Sequence, residues 1–223
     1  KAMSARVEKL ARVVSTKTEL EKELYIHDFI CENIHYDKLK KPYSHEIIGP
    51  LGHGVGVCEG IAKSVKVLCD ALGVWCIIVI SEANPEKKIK YRHAWNIVKI
   101  GKTYYHLDAT FDNSLGRNYS HASNTASDSG NAGATHGDIA QHPIPGNKKS
   151  GKKGSASTRI RYDYFNLDDK QIFRDHEPLI APAPACTDSA HSYYKEKKLS
   201  FAKTEDVYRR ALQAAKKEKP LTF

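Results

Sequence analysis

The sequence has no apolar run near the roughly 18 residues that a membrane-spanning helix needs. Its opening stretch, KAMSARVEKLARVV, lacks the apolar core of a signal peptide. A membrane segment is therefore not expected. Because the sequence opens on Lys1 rather than Met, an upstream segment stays open. The five cysteines (Cys31, Cys58, Cys69, Cys76, Cys186) are odd in number, and none forms a C-x-x-C pair. That argues against a disulfide framework and against a zinc cluster, and it favours a reduced, cytoplasmic compartment. A cell-surface or secreted location is left open by the unknown start. No internal repeat is visible. The lysines form no stacking platform: the clusters at 38–41, 148–153 and 195–198 are not interleaved with aromatics. The net charge of +9 is thus read as a solvated basic surface, with no specific nucleic-acid partner.

What is present is enough for a core. At 223 residues and 40% hydrophobic content the chain suits a single domain over 1–223. Its core is expected over about 19–113 plus 158–200. Residues 4–14 carry Val7, Leu10, Val13 and Val14 at helical spacing. A second helix is expected from Thr18, where Thr18 and Glu21 match a capping box, and it runs through Leu20, Leu24, Phe29 and Ile30 toward NIHYD. EGIAKSVKVLCDALG places Ile61, Val65, Leu68 and Leu72 on one face and ends at Gly73, a C-cap residue. VWCIIVIS, Val74 to Ser81, is a continuous β-branched run, the pattern of a central strand. HAWNIVKI and TYYHLDAT flank Gly101-Lys102 and read as a hairpin. From about Leu115 to Ser157 large apolar residues nearly vanish, so a flexible insertion is expected. Beyond it, IRYDYFNLDDKQIF suggests a strand followed by a short helix capped by Asp168, and Thr204 to Lys217 a last amphipathic helix. Helices followed by antiparallel strands make an α+β domain.

The stretch GVGVCEG sets Cys58 among glycines at the mouth of a helix. A reactive thiol needs a sharp turn, room for a substrate backbone, and a helix N-terminus that favours the thiolate. His93 opens the next hairpin and Asp108 lies on its second strand. With the turn at Gly101-Lys102, paired positions sum to about 203, so Asp108 is a diagonal neighbour of His93 on the same face. The hairpin thereby sets an imidazole beside a carboxylate, and the helix delivers a sulfur to the other ring nitrogen: thiol, base and orienting acid. His53 is a weaker candidate for an oxyanion hydrogen bond together with the Cys58 amide, and Trp95 for shielding the base. Asp112, His106, Cys69 and Cys76 are assigned to structure.

GVCEGIAKSVKVLCDALGV, RHAWNIVKI and YYHLDATFDNS resemble the three core motifs of the transglutaminase-like superfamily, over about Glu19 to Asn113. TFD at Thr110–Asp112 stands where bacterial relatives often have TWD. The resemblance implies a papain-like α+β fold with the nucleophile at a helix start packed on an antiparallel sheet, and a triad of Cys58, His93 and Asp108. It also implies attack on amide bonds of peptides or proteins through a thioester, resolved by water (peptidase, amidase) or by an amine (transglutaminase). No cofactor is implied. Calcium serves only some branches of the family, and no acidic loop here resembles such a site. The rival expectation is a non-catalytic peptide- or cell-wall-binding module that keeps the fold. The pattern leaves substrate and oligomeric state open.

Overall fold

The computed structural model describes residues 2–87, 89, 91–114 and 160–217; the insertion expected over 115–157 lies outside the described residues. Two helices lead, α1 (Ala2–Val14) and α2 (Glu19–Asn33). Thr18 caps α2 as its sequence suggests. The Glu21 amide donates to Thr18 Oγ1 at 3.3 Å, and the Thr18 amide donates back to the Glu21 carboxylate at 3.0 Å. Such a cap contributes about 1 kcal/mol. The chain then enters β1 (His35–Tyr36), which pairs in parallel with β2 (Val55–Gly56). Between them the Asp37 carboxylate accepts from the Leu39 and Lys41 amides, each at 3.0 Å, and from the Ser44 hydroxyl. That one side chain gathers the loop that walls the later cleft.

Helix α3 (Cys58–Leu72) buries Ile61, Val65, Leu68 and Leu72 as its periodicity predicts, and Gly73 closes it in the left-handed conformation, φ 70°. The four antiparallel strands β3 (Cys76–Ser81), β4 (His93–Ile100), β5 (Thr103–Leu107) and β6 (Phe165–Leu167) lie in that order in the sheet. The hairpin register pairs Asn96 with Leu107 and Ile97 with His106, the pairing sum of 203 read from the turn. One sheet face, with Val98, Ile100, Tyr105 and Leu107, packs on the helices. The other, with Val79, Trp95, Ile97 and Leu167, is covered by Ile172 and Cys186. Residues 109–114 form α4. Asp168 caps α5 (Asp169–Ile172) through the Gln171 amide at 2.8 Å, and α6 (Tyr193–Glu196) and α7 (Thr204–Lys216) follow.

One strand departs from the sequence reading. β3 lies at the sheet's edge, not its centre. Its apolar run is covered piecemeal: Cys76 and Val79 enter the two core clusters, and Ile80 stays 37% exposed. Among the described residues the outer edge is met by the segment at 179–180, where the Ile180 amide donates to the Ile80 carbonyl at 3.0 Å. A continuous β-branched run thus arises without two flanking strands, because the cleft and a loop take the places of neighbours.

Glu23 of α2 is fully buried and accepts a 2.9 Å hydrogen bond from Asn166 Nδ2. Burial pushes its carboxyl up to about 8, although the Asn166 bond favours the charged form. The folded-state value exceeds the usual 4.5, so folding holds a proton that the unfolded chain releases. Its contribution is fully present below the unfolded value and is lost as pH rises through the folded one. Glu23→Gln removes this ionisation while keeping a polar group of similar shape. Melting curves at about pH 6 and about pH 9.5 are expected to show the variant gaining on the wild type at the higher pH. A gap independent of pH would refute the burial argument.

Candidate active site

Cys58 is the first residue of α3, so its sulfur sits among the helix's unpaired amides. Two of the glycines around it serve the chain's own packing. A Cβ on Gly60 would lie 2.1 Å from the Ser44 carbonyl oxygen, and one on Gly56 would lie 2.6 Å from Pro50 Cγ. This close approach lets the Val57 amide donate to the Ser44 carbonyl at 3.0 Å, which fixes the start of α3 against the loop. From the other side Asn96, on the helix-facing side of β4, donates to the Ala62 carbonyl of α3 at 3.1 Å and to the Ile77 carbonyl of β3 at 3.3 Å. The helix start therefore has one place relative to the sheet.

His93, 2% exposed, opens β4, and its Nε2 lies 2.6 Å from Asp108 Oδ2. Asp108 is not inside the strand: β5 ends at Leu107. The carboxylate is turned inward because its Oδ1 accepts the Thr110 and Phe111 amides at 2.9 and 3.1 Å, capping α4. Cys58 is partly exposed, and the His93 imidazole and the Ala94 amide both act on its sulfur to favour the thiolate. The structure thus brings Cys58, His93 and Asp108 together, at the floor of a cleft of about 470 Å³ lined by Tyr36, Ile80, Tyr91 and Phe111 with Lys40 and Arg92.

Electrostatics follow from this arrangement. Burial opposes the charge on His93, but the Asp108 carboxylate outweighs it and lifts the ring to about 10. Burial likewise opposes ionisation of Asp108, and two imidazoles hold it well below the usual carboxylate range. Burial raises the Cys58 thiol, and the hydrogen bond and charge of His93 more than reverse that, so it ends below its ordinary value. The favoured state is a thiolate–imidazolium pair.

Two participants escaped the sequence reading. His176, from the segment after α5, sets its Nε2 2.9 Å from the same Asp108 Oδ2. Nothing at RDHEP marks it, since it arrives from beyond the 115–157 insertion. The half-buried Tyr36 lines the cleft beside Cys58, and burial above all keeps its phenol protonated. Its signal lay in NIHYD, whose last residues enter a strand beside the thiol rather than ending a helix.

Trp95 is buried and stacks on His93, ring centroids 5.5 Å apart and 18° between planes, so it does cover the base. His53 is not brought to the site. It is exposed, rests its ring on Tyr43 at 4.9 Å, and does not line the cleft, because the turn at Gly49–His53 points it outward. Cys69 and Cys76 are core residues. Cys31, His27 and Asp112 form a second thiol–imidazole–carboxylate group. There the sulfur (3.6 Å) and the carboxylate (3.1 Å) meet the same nitrogen, His27 Nε2, which permits no relay; the buried Asp112 instead ties α2 to α4 and to the Tyr164 amide at 3.1 Å.

Two groups of three potential metal donors occur among the described residues: His93, Asp108 and His176, and His106, Asp169 and Cys186. In the first, both rings already face one carboxylate oxygen. In the second, Trp95 Nε1 donates to His106 Nδ1 at 3.0 Å, so Nε2 carries the hydrogen and gives it to Asp169 at 2.9 Å. Burial lowers the His106 pKa and pushes the Cys186 thiol up to about 12, against the thiolate a metal requires. Both are hydrogen-bonded sets.

Residues 8–109 match the model of the Transglutaminase-like superfamily, a span that contains Cys58, His93 and Asp108. The resemblance read from three motifs is thereby shown over this span, which folds as α+β with a helix packed on an antiparallel sheet. Among solved structures, a TGase aligns at 15% identity and TM-score 0.42, covering 49% of this chain and 31% of that one. A protein of Cytophaga hutchinsonii, provisionally assigned as a cysteine protease, aligns at 24% identity and TM-score 0.40, covering 48% and 37%. The chain thus spans about a third of the length of these solved structures. None of the curated proteins matches.

Iodoacetamide is expected to modify Cys58 below about pH 7, ahead of the four buried cysteines. Asp108→Asn should return Cys58 to the alkaline profile of an ordinary thiol and lower unfolding stability by about 3 kcal/mol, because a buried charge partner is lost. Peptide mapping after timed alkylation, with denaturant titration, reads both. Equal labelling of all five cysteines would contradict the ion pair. Gly60→Ala, which drives a methyl into the Ser44 carbonyl, is expected to cost at least about 2 kcal/mol in the same titration.

Proposed function

We propose that the chain is a thiol enzyme acting on amide bonds of peptides or proteins, with Cys58 as nucleophile, His93 as base and acid, and Asp108 as the group that orients and charges the ring. The observation that carries this reading is the order of groups from the cleft inward: a partly exposed thiol at a helix start, its ionisation favoured by an imidazole that lies 2.6 Å from a wholly buried carboxylate.

The steps follow from the protonation states. The Cys58 thiolate attacks the amide carbonyl carbon, and the C=O electron pair moves to oxygen. Tyr36 lines the cleft beside the thiol with its phenol held protonated by burial, and its O–H serves as the donor to the oxyanion. With Nε2 held by Asp108, Nδ1 is the ring atom facing the sulfur, and it passes its proton to the leaving amine as the C–N bond breaks. The resulting thioester is attacked by water or by a primary amine. His93 takes the proton of that nucleophile, and the C–S bond breaks to restore the thiolate. The Asp108 carboxylate stays ionised throughout.

The test is a panel of glutamine-containing and other peptides, with and without a primary amine, read by mass spectrometry. Cys58→Ala should abolish turnover with little change in melting temperature, since a half-exposed thiol contributes little packing. Tyr36→Phe should lower kcat by about a hundredfold while Cys58 still alkylates. Amine incorporation that depends on Cys58 identifies acyl transfer to amines, and cleavage alone identifies hydrolysis. No turnover across the panel, with a peptide or glycan bound equally by wild type and Cys58→Ala, would favour the binding module.

A further inference from the structure

The His176 side chain is 1% exposed and meets the same Asp108 oxygen as His93. Its Nε2 lies 2.9 Å from Asp108 Oδ2 and its Nδ1 lies 2.7 Å from Asp175 Oδ1. A neutral imidazole has one N–H, so one nitrogen of this buried ring would turn a lone pair on a carboxylate oxygen. With both nitrogens on carboxylates, the ring is doubly protonated. The ring is packed by Phe111 at 4.6 Å and Trp95 at 4.9 Å, which leave it no other orientation. The titratable groups that face it are Asp108 at the end of β5, Asp175 beside it in sequence, and His93 of β4 at 5.2 Å. Tyr164 packs its ring on it at 5.5 Å and donates to Asp175, and His106 lies beyond Trp95. Glu177, next in the chain, accepts instead from Asn84 at 3.0 Å.

Two imidazoliums therefore share one carboxylate oxygen. The second has two effects on the first pair. It pins Asp108, since Oδ2 accepts from both rings while Oδ1 accepts two amides, and the carboxylate cannot rotate away from His93. Its positive charge also disfavours the proton on His93 and favours the thiolate on Cys58, so both ionisations occur at lower pH than Asp108 alone would set.

We propose that His176 is a positioning residue for the Cys58 site, a second imidazolium on Asp108 that holds this carboxylate and sets the pH interval in which the Cys58–His93 pair is charged. This rests on the thiol-enzyme reading above, and its test needs no substrate. The rate of Cys58 alkylation by iodoacetamide is followed from about pH 4 to about pH 10 on the full chain, in wild type, H176Q and D175N. Gln keeps a donor for Asp108 without the charge. H176Q is expected to move the profile to higher pH by about one unit. D175N, at a half-exposed position, leaves His176 with one carboxylate, so that it loses its proton earlier; a smaller shift in the same direction is expected. Should H176Q fail to fold by circular dichroism, D175N decides. Superimposable profiles of the wild type and the folded variants overturn the proposal. A wild-type profile with only the alkaline rise of a free thiol overturns instead the reading of Cys58 as an activated nucleophile.

Discussion

The structure around the site depends on the Asp108 carboxylate having no access to water. A charge removed from water at that depth is tolerated only if each oxygen is occupied by donors, and here the four donors come from three parts of the chain. His93 comes from the start of β4, His176 from the segment after α5, and the Thr110 and Phe111 amides from the turn of helix that Asp108 itself caps. Those requirements set where β5 must stop, why α4 begins there, and why the chain beyond position 160 has to return to this sheet end. The same charge raises the His93 ring, and the charged ring lowers the Cys58 thiol. Stability and the charge state of the thiol are here the same electrostatic problem, solved once.

The second constraint is the position of α3. A thiol at a helix start reaches an imidazole on a strand only if helix and sheet are in one register, and two polar contacts enforce it. Asn96 clamps α3 to β4 from below, and the Val57 amide with the bare Gly60 clamps it to the loop at Ser44 from above. Asp37 stiffens that loop in turn. Losing Gly60 would displace both the helix start and the cleft wall, which joins a packing residue to the site's chemistry without any contact with substrate.

Buried ionisable groups recur through this fold and take two different forms. Where both nitrogens of a ring meet carboxylates, as at His176 and His27, the ring is charged and ties distant elements together. Where a ring nitrogen instead accepts from Trp95, as at His106, the ring is neutral and its tautomer is set. Glu23 is the carboxyl counterpart, neutral near pH 7 because its one amide partner does not replace water. The partner, not the residue type, decides the state.

The parts legible in the sequence were those encoded locally. The capping box at Thr18, the apolar face and glycine stop of α3, the hairpin register around Gly101, and Cys58 at a helix start each depend on residues within one turn or one strand pair. So does the meeting of His93 with Asp108, since hairpin pairing is arithmetic once the turn is placed. Tertiary structure alone decided what depends on chain segments far apart. The run at Val74–Ser81 looked like a central strand because hydrophobicity reports burial, not which neighbour supplies it, and a cleft and a loop cover that edge. His53 lay near Cys58 in sequence and was turned away by the geometry of its turn. His176 lay far from Cys58 and was brought to Asp108, because a buried carboxylate with one imidazole still had a lone pair to satisfy, and nothing local to RDHEP records that need.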